Sequence, residues 1–121
     1  MKILIADDQS AMKLLIKRCL ATEYPAGLIE DVKNGQELVT RVLADQWDLV
    51  ISDISMPIMT GLEALEEIRK HAPNLPVIIL SSHFDEAYVR YAAKAGASAY
   101  VHKFRIHEDL SRTIRRVMGE R

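Results

Sequence analysis

The stretch VISDISMPIMTG, residues 50–61, decides the fold. It begins inside an apolar run over residues 48–52, which is typical of a strand that is covered on both faces. Asp53 follows that run directly and precedes a turn that contains Pro57. Proline fixes φ and has no backbone donor, so we expect the strand to end here. Asp53 would then lie at the edge of the sheet, and its function there has to be explained.

Length and charge limit the possible classes of protein. A chain of 121 residues, 49% hydrophobic and 27% charged, has the size and composition of one soluble domain with one core. The formal net charge of -1 gives no bulk attraction to nucleic acid or to an anionic membrane, so neither is an expected partner. Cys19 is the only cysteine, which fits a reducing compartment, and no apolar run reaches membrane-spanning length. We therefore expect one cytoplasmic domain over residues 1–121.

Apolar runs alternate with segments of helical period along the whole chain. Strict alternation of this kind predicts a parallel sheet with helices on both faces, because parallel strands need crossover connections. The sequence therefore predicts an α/β protein of (βα)5 architecture, a doubly wound five-stranded parallel sheet. The five predicted strands are Lys2–Ala6, Leu28–Val32, Asp48–Ser52, Val77–Leu80 and Ala99–Val101.

Residues with reactive or charged side chains stand where the predicted strands end. Asp7 and Asp8 follow the first strand, Asp53 the third, Ser81 the fourth and Lys103 the fifth. Ligands of open α/β sheets bind beyond the carboxyl ends of the strands, so these groups are expected to converge there. Each also has a structural alternative: a helix cap for the acidic pair, an Asx turn for Asp53, a satisfied strand end for Ser81 and a solvated position for Lys103.

Taken together, the three carboxylates favour a metal site. Carboxylates crowded at one sheet edge repel one another unless a cation relieves them, and oxygen ligands without histidine or cysteine suit Mg²⁺. Ser81 and Lys103 supply a hydroxyl and a point charge for phosphoryl oxygens. The sequence has neither a Walker loop nor a GxGxxG motif, so nothing indicates that the phosphate is held as part of a nucleotide. Asp53 is therefore the candidate nucleophile of a phosphoryl transfer to the protein itself.

These features resemble the receiver domain of two-component response regulators, in the CheY-like superfamily, and the resemblance extends over the whole chain. The matching features are the pair Asp7-Asp8, the stretch from Asp53 to Gly61, Ser81 and Lys103. The resemblance implies a flavodoxin-like strand order, 2-1-3-4-5. It also implies that Asp53 takes a phosphoryl group from a sensor histidine kinase or a phosphotransfer protein and loses it slowly. Such a protein is an acceptor rather than a turnover enzyme.

The resemblance further implies a metal set and a switch. Asp8, Asp53 and the backbone carbonyl of Ser55 would hold Mg²⁺, with Asp7 acting mainly through water. After phosphorylation, Ser81 would move toward the phosphoryl oxygens.

A second switch residue, Tyr100, would turn inward and reshape the face formed by the fourth helix, fifth strand and fifth helix. That face is also a possible homodimer interface. The simpler interpretation of Tyr100 is a half-buried aromatic residue of the strand. The driving change is an added charge of about -1.5 to -2.

Two further observations refine the resemblance. The runs SHFDEAYV, residues 82–89, and AGASAY, residues 95–100, are similar to receivers that precede LuxR-type DNA-binding domains. We therefore expect a transcriptional output domain outside this chain, with a stand-alone receiver as the alternative. Phe104 stands where the family often has proline, so the Lys103–Phe104 peptide is either cis, at a cost of about 3 kcal/mol or more, or trans with a different loop. Ser81 replaces the commoner threonine and keeps the hydroxyl.

Two other functions share parts of this pattern. Phosphatases of the haloacid dehalogenase type also form an aspartyl phosphate with Mg²⁺, but they carry a DxD pattern that residues 7–9, Asp-Asp-Gln, do not supply. A flavodoxin-like FMN binder shares the fold by analogy only, and the acidic loop after the first strand would repel its phosphate. The histidines have no metal-ligand spacing and are interpreted as surface or packing residues, with His102 and Ser82 near enough to tune phosphoryl lifetime.

Overall fold

A computed structural model of the protein describes residues 1–83 and 85–119. Phe84, which belongs to the LuxR-like run, lies outside the described residues, as do Glu120 and Arg121 at the end of the predicted domain. Helices α1 to α5 are Ser10–Glu23, Gly35–Ala44, Gly61–His71, Glu86–Ala95 and Ile106–Met118. Strands β1 to β5 are Lys2–Ala6, Leu28–Val32, Leu49–Asp53, Val77–Ser81 and Ala99–His102, and a 3₁₀ turn, Lys103–Arg105, precedes α5.

The five strands form one parallel sheet in the order β2-β1-β3-β4-β5, which confirms the predicted (βα)5 fold and its flavodoxin-like strand order. Ala6 is opposite Ser52 in the register, so the residues that follow them, Asp7 and Asp53, reach the carboxyl edge side by side. Four strand boundaries differ from the prediction, and one of them is the start of β3, which lies at Leu49 rather than Asp48. β3, β4 and β5 each continue one residue further, because Asp53 still pairs with Leu80 and Ser81 still pairs with His102.

The sheet separates two apolar clusters. Alternate residues of a strand point to opposite faces, so Ile3 and Ile5 pack with α1 and α5, whereas Leu4 and Ala6 pack with α2, α3 and α4. β3 and β4 are buried along their full length, as their continuous apolar runs predict. The carboxyl ends of these two central strands are therefore fixed by packing on both faces.

The loop between β3 and α3 is held close to the sheet at both ends. The amide of Gly61 donates to the carbonyl of Ile54 at 2.9 Å, and a Cβ atom at Gly61 would lie 1.9 Å from the carbonyl oxygen of Asp53. Glycine is required here because the start of α3 contacts the end of β3 directly. Thr60 and Glu63 then form a capping box that starts the helix. These contacts set the position of Asp53.

Helix α4 ends at a glycine C-cap. Gly96 follows α4 with φ 105°, in the left-handed region that glycine occupies without strain. Within the described residues, none of the helices has the length and apolar character needed to cross a bilayer.

Candidate functional site

Three carboxylates meet at the carboxyl edge of the sheet, as the sequence predicts. Asp7 is fully buried, Asp53 is 5% exposed and Asp8 is exposed. One oxygen from each of the three lies within 4.8 Å of the other two. All three come from the ends of neighbouring strands, so the spacing follows from the register of β1 and β3.

Lys103 joins two of these carboxylates. Its Nζ lies 3.0 Å from Oδ2 of Asp53 and 3.2 Å from Oδ2 of Asp7, and its side chain is only 10% exposed. Lys103 is therefore not the solvated surface residue of the structural alternative.

The backbone that carries Lys103 follows the trans alternative of the prediction. No cis peptide bond occurs among residues 1–83 and 85–119, so the peptide before Phe104 is trans. The loop instead forms a 3₁₀ turn that begins at Lys103. Its cap is His102, whose Nδ1 accepts a hydrogen bond from the amide of Phe104 at 3.2 Å.

The capping alternatives describe only part of the local structure. Helix α1 has Gln9 as its N-cap and receives no side-chain cap, so neither acid of the pair caps it. Oδ1 of Asp7 accepts from the amide of Gln9 at 2.9 Å, which is a local turn contact. This contact uses Oδ1 of Asp7, whereas the Oδ2 atoms of Asp7 and Asp53 face Lys103.

The cluster is short of positive charge. Three carboxylates and one ammonium leave a formal charge of -2. Burial raises the pKa of Asp53 above its ordinary value, and the hydrogen bond and charge of Lys103 only partly oppose this. Burial acts to lower the pKa of Lys103, but the contacts with Asp53 and Asp7 outweigh it and raise that pKa. The positive charge of Lys103 is balanced by two carboxylates, but each of these carboxylates has only a share of one positive charge.

One carboxylate oxygen of Asp7 lacks a hydrogen-bond donor in the described part of the chain. This atom, Oδ2, is buried, and the ammonium of Lys103, 3.2 Å away, is shared with Asp53. Buried carboxylate oxygens need a compensating donor or a cation. The residues at this edge therefore fit a hard divalent cation with oxygen ligands.

The family model for the response regulator receiver domain matches residues 3–115. The chain belongs to this family. The curated relatives of this receiver domain include the transcriptional regulatory protein DegU of Brevibacillus brevis, 35% identical over 102 residues, which are 84% of this chain and 43% of DegU. The chain spans about half the length of DegU and of several other curated relatives.

Solved structures of other receivers have the same architecture. A DNA-binding response regulator of the LuxR family from Staphylococcus aureus is 36% identical, with a TM-score of 0.82 and 98% of each chain covered. The response regulator TrrA of Thermotoga maritima, solved in complex with Mg²⁺ and BeF, is 30% identical, with a TM-score of 0.84 and 96% and 97% of the two chains covered. The similarity to LuxR-family regulators agrees with the runs at residues 82–89 and 95–100.

The two predicted switch residues of the receiver, Ser81 and Tyr100, meet at one backbone position. The hydroxyl of Ser81, a buried residue, accepts a hydrogen bond from the amide of His83 at 2.9 Å. The hydroxyl of Tyr100 donates to the carbonyl of His83 at 2.6 Å, and burial raises the pKa of this phenol. The ring of His83 stacks on that of Tyr88 in α4, with centroids 4.5 Å apart.

Sequence reasoning missed this role of His83, which was interpreted as a surface or packing residue. The contacts that matter are made by its backbone, and a backbone contact has no signature in residue type. Its position two residues after Ser81 was the one available signal. His83 connects the carboxyl edge of the sheet to the start of α4.

Proposed function

We propose that this receiver is a phosphoryl acceptor of a two-component system, with Asp53 as the acceptor and Mg²⁺ as its cofactor. The observation that carries the proposal is the buried pair Asp7 and Asp53, which share the single ammonium of Lys103 while Oδ2 of Asp7 lacks a hydrogen-bond partner in the described part of the chain. The similarity to TrrA, a regulator solved with Mg²⁺ and BeF, supports the same assignment.

The proposed metal set follows from the positions of the side chains. Asp8 and Asp53 would hold Mg²⁺ directly with the backbone carbonyl of Ser55, and Asp7 would act through water. Asp8 is exposed and Asp7 is buried, which suits a direct ligand at the mouth of the site and an indirect one beneath it. When bound, Mg²⁺ neutralises charge on the phosphoryl oxygens during transfer.

Asp53 is the nucleophile in this proposal. An oxygen of its carboxylate forms the new O–P bond while the P–N bond to the donor imidazole breaks, and the electron pair of that bond stays on the imidazole nitrogen. Lys103 already lies 3.0 Å from the acceptor side chain and would neutralise the transferring group. The donor would be a sensor histidine kinase or a phosphotransfer protein.

The proposed output is a change at α4, β5 and α5. A phosphoryl group adds about -1.5 to -2 in charge beside Ser81, whose hydroxyl would leave the amide of His83 and turn to the new oxygens. The contact between Tyr100 and His83 would then change, and with it the face that α4, β5 and α5 form. This face would bind a partner or a second copy of the chain.

The similarity to DegU and to a LuxR-family regulator favours transcriptional output through a domain outside this chain, with a stand-alone receiver as the alternative. We further propose that the chain acts in the cytoplasm and does not contact nucleic acid itself, since its net charge of -1 supplies no attraction to phosphates.

Labelling with a small phosphodonor tests the proposal. Acetyl phosphate with Mg²⁺ should add one phosphoryl group to the intact chain, and EDTA or Asp53→Asn should abolish the addition. Asp48→Asn is the matched control, because Asp48 directly precedes the opposite, amino-terminal end of β3 and should leave labelling unchanged. Sustained hydrolysis of a phosphomonoester that Asp53→Ala abolishes would instead indicate a phosphatase and contradict the acceptor role.

A further inference from the structure

Helix α4 is packed weakly along its length. Of its ten residues, all of them described, Ala92 is the single buried one. Its N-cap, Asp85, makes no side-chain cap hydrogen bond. The position of α4 therefore depends on what holds its two ends.

Arg69 holds the carboxyl end of α4. From α3, its Nε donates to the carbonyl of Gly96 at 2.9 Å. One of its terminal nitrogens donates to the carbonyls of Ala72 and Leu75, at 2.9 and 2.6 Å. The guanidinium thus joins the end of α3, the loop before β4 and the end of α4 through three backbone carbonyls.

The Gly96 side of this contact is closely fitted. Gly96 has φ 105°, and a Cβ atom there would lie 2.8 Å from both Cγ and Nε of Arg69. The amide of Ala97 donates to the carbonyl of Ala92 at 2.9 Å, and the amide of Ser98 donates to the carbonyl of Val77 at 2.7 Å. The end of α4 is therefore joined to α3 and to the start of β4.

The amino end of α4 is connected to the phosphorylation site instead. His83 precedes it, and among the described residues its amide donates to Ser81, its carbonyl accepts from Tyr100 and its ring stacks on Tyr88. These contacts are the ones that a phosphoryl group on Asp53 would disturb.

We infer that Arg69 is a positioning residue that makes Gly96 the fixed pivot of α4, so that the switch moves the amino-terminal half of the helix about its anchored carboxyl end. This inference rests on the proposed function, because the pivot has a regulatory effect only if the site switches. The contacts of Arg69 with Leu75 and Gly96 lie at the amino-terminal edge of the sheet, opposite the edge that carries Asp53.

Amide hydrogen exchange tests the pivot. In the wild type, amides near Gly96 should exchange more slowly than those near Val89, and Mg²⁺ with beryllofluoride should change exchange only in the amino-terminal half of α4. In Arg69→Met, which keeps the aliphatic stem and removes the donors, the amides at residues 93–97 should exchange at least tenfold faster. The beryllofluoride response should then extend to Gly96, while affinity for beryllofluoride stays within twofold of wild type.

Two further variants keep the inference falsifiable. Arg69→Lys, the variant to use if Arg69→Met does not fold, should give an intermediate increase. Arg90→Met is the matched control, because Arg90 lies on the exposed face of the same helix and pairs only with Glu86 in the described contacts.

Unchanged exchange near Gly96 in Arg69→Met, or equal acceleration along all of α4, would overturn the pivot. If wild type shows no response to beryllofluoride, the proposed function fails. In that case, the difference in exchange rate between the amides near Gly96 and those near Val89 can still be measured without beryllofluoride. Its loss in Arg69→Met would still show that Arg69 anchors the end of α4.

Discussion

Replacing Lys103 by methionine should show how much the repulsion between Asp7 and Asp53 lowers the free energy of unfolding. The side chain keeps its length and apolar stem but loses the only ammonium that contacts Asp7 and Asp53 in the described structure. Two buried carboxylates then remain without a cation. We expect the fold to survive and its stability to become dependent on Mg²⁺.

The magnitude follows from two distances. At an effective dielectric constant of about 20, unit charges 3.0 and 3.2 Å apart attract by about 5.5 and 5 kcal/mol. The desolvation of the buried ammonium, several kcal/mol, is recovered when it is removed. Truncating one partner of a buried ion pair costs about 3–5 kcal/mol net, and we expect this loss in the free energy of unfolding in EDTA. A domain of this size has about 5–15 kcal/mol in total, so this loss is a large fraction of the stability and should markedly lower the urea midpoint in EDTA.

Urea denaturation with and without Mg²⁺ is the measurement. For wild type, Mg²⁺ at ten times its Kd should add about 1.4 kcal/mol. For Lys103→Met the added stability at the same Mg²⁺ concentration should be larger, because the ammonium no longer repels the divalent ion. Acetyl phosphate labelling should be slower, since the charge that neutralises the transferring group is absent.

Lys13→Met is the control for this prediction. Lys13 pairs with Asp31 at 3.1 Å, but both side chains are more exposed and Lys17 pairs with the same carboxylate. Its loss should cost about 0–1 kcal/mol and should not depend on Mg²⁺. The reasoning is refuted if Lys103→Met loses no more stability than Lys13→Met, or if Mg²⁺ stabilises wild type and Lys103→Met equally.

Three further predictions concern Asp53 itself and two residues near it, Gly61 and Ser81. Gly61→Ala should lose about 3 kcal/mol in urea denaturation, because its Cβ would lie 1.9 Å from the carbonyl oxygen of Asp53, while Gly119→Ala should change stability by less than about 0.5 kcal/mol. The raised pKa of Asp53 means that its ionisation opposes folding, so in EDTA the stability of wild type should fall as pH rises from about 3.9 through the raised pKa. Asp53→Asn should lack this fall in the same pH series. Ser81→Ala should cost about 1–3 kcal/mol, since the amide of His83 loses its acceptor, and should abolish the beryllofluoride-induced NMR shift at Tyr100 while Asp53 is still labelled.

The sequence predicts the fold well because its decisive signals are local. Continuous apolar runs locate the five strands, but the start of β3 and the carboxyl ends of β3, β4 and β5 were wrong by one residue each. Those ends depend on pairing with the neighbouring strand, as at Asp53 and Leu80, which no local pattern records. The convergence of Asp7, Asp53 and Lys103 was predictable, because the topology brings strand ends together whatever the loop details.

Other features depend on the folded backbone and were beyond such reasoning. The sequence left two alternatives for the peptide before Phe104, and only the 3₁₀ turn capped by His102 distinguishes them. The contacts of His83 and the bonds of Arg69 both use main-chain carbonyls. Residue types show which side chains are available, but not which carbonyls the fold leaves for them.

The fixed positions of the strand ends explain why the charge deficit persists. Asp7 and Asp53 cannot separate, because β1 and β3 are adjacent in register and β3 is buried along its length. Asp53 cannot retreat toward α3 either, because Gly61 already contacts its carbonyl. The two buried carboxylates share the single positive charge of Lys103, and the uncompensated negative charge is held where a cation can reach it. The packing that stabilises the domain therefore also maintains the repulsion between these carboxylates, which a bound divalent cation would reduce.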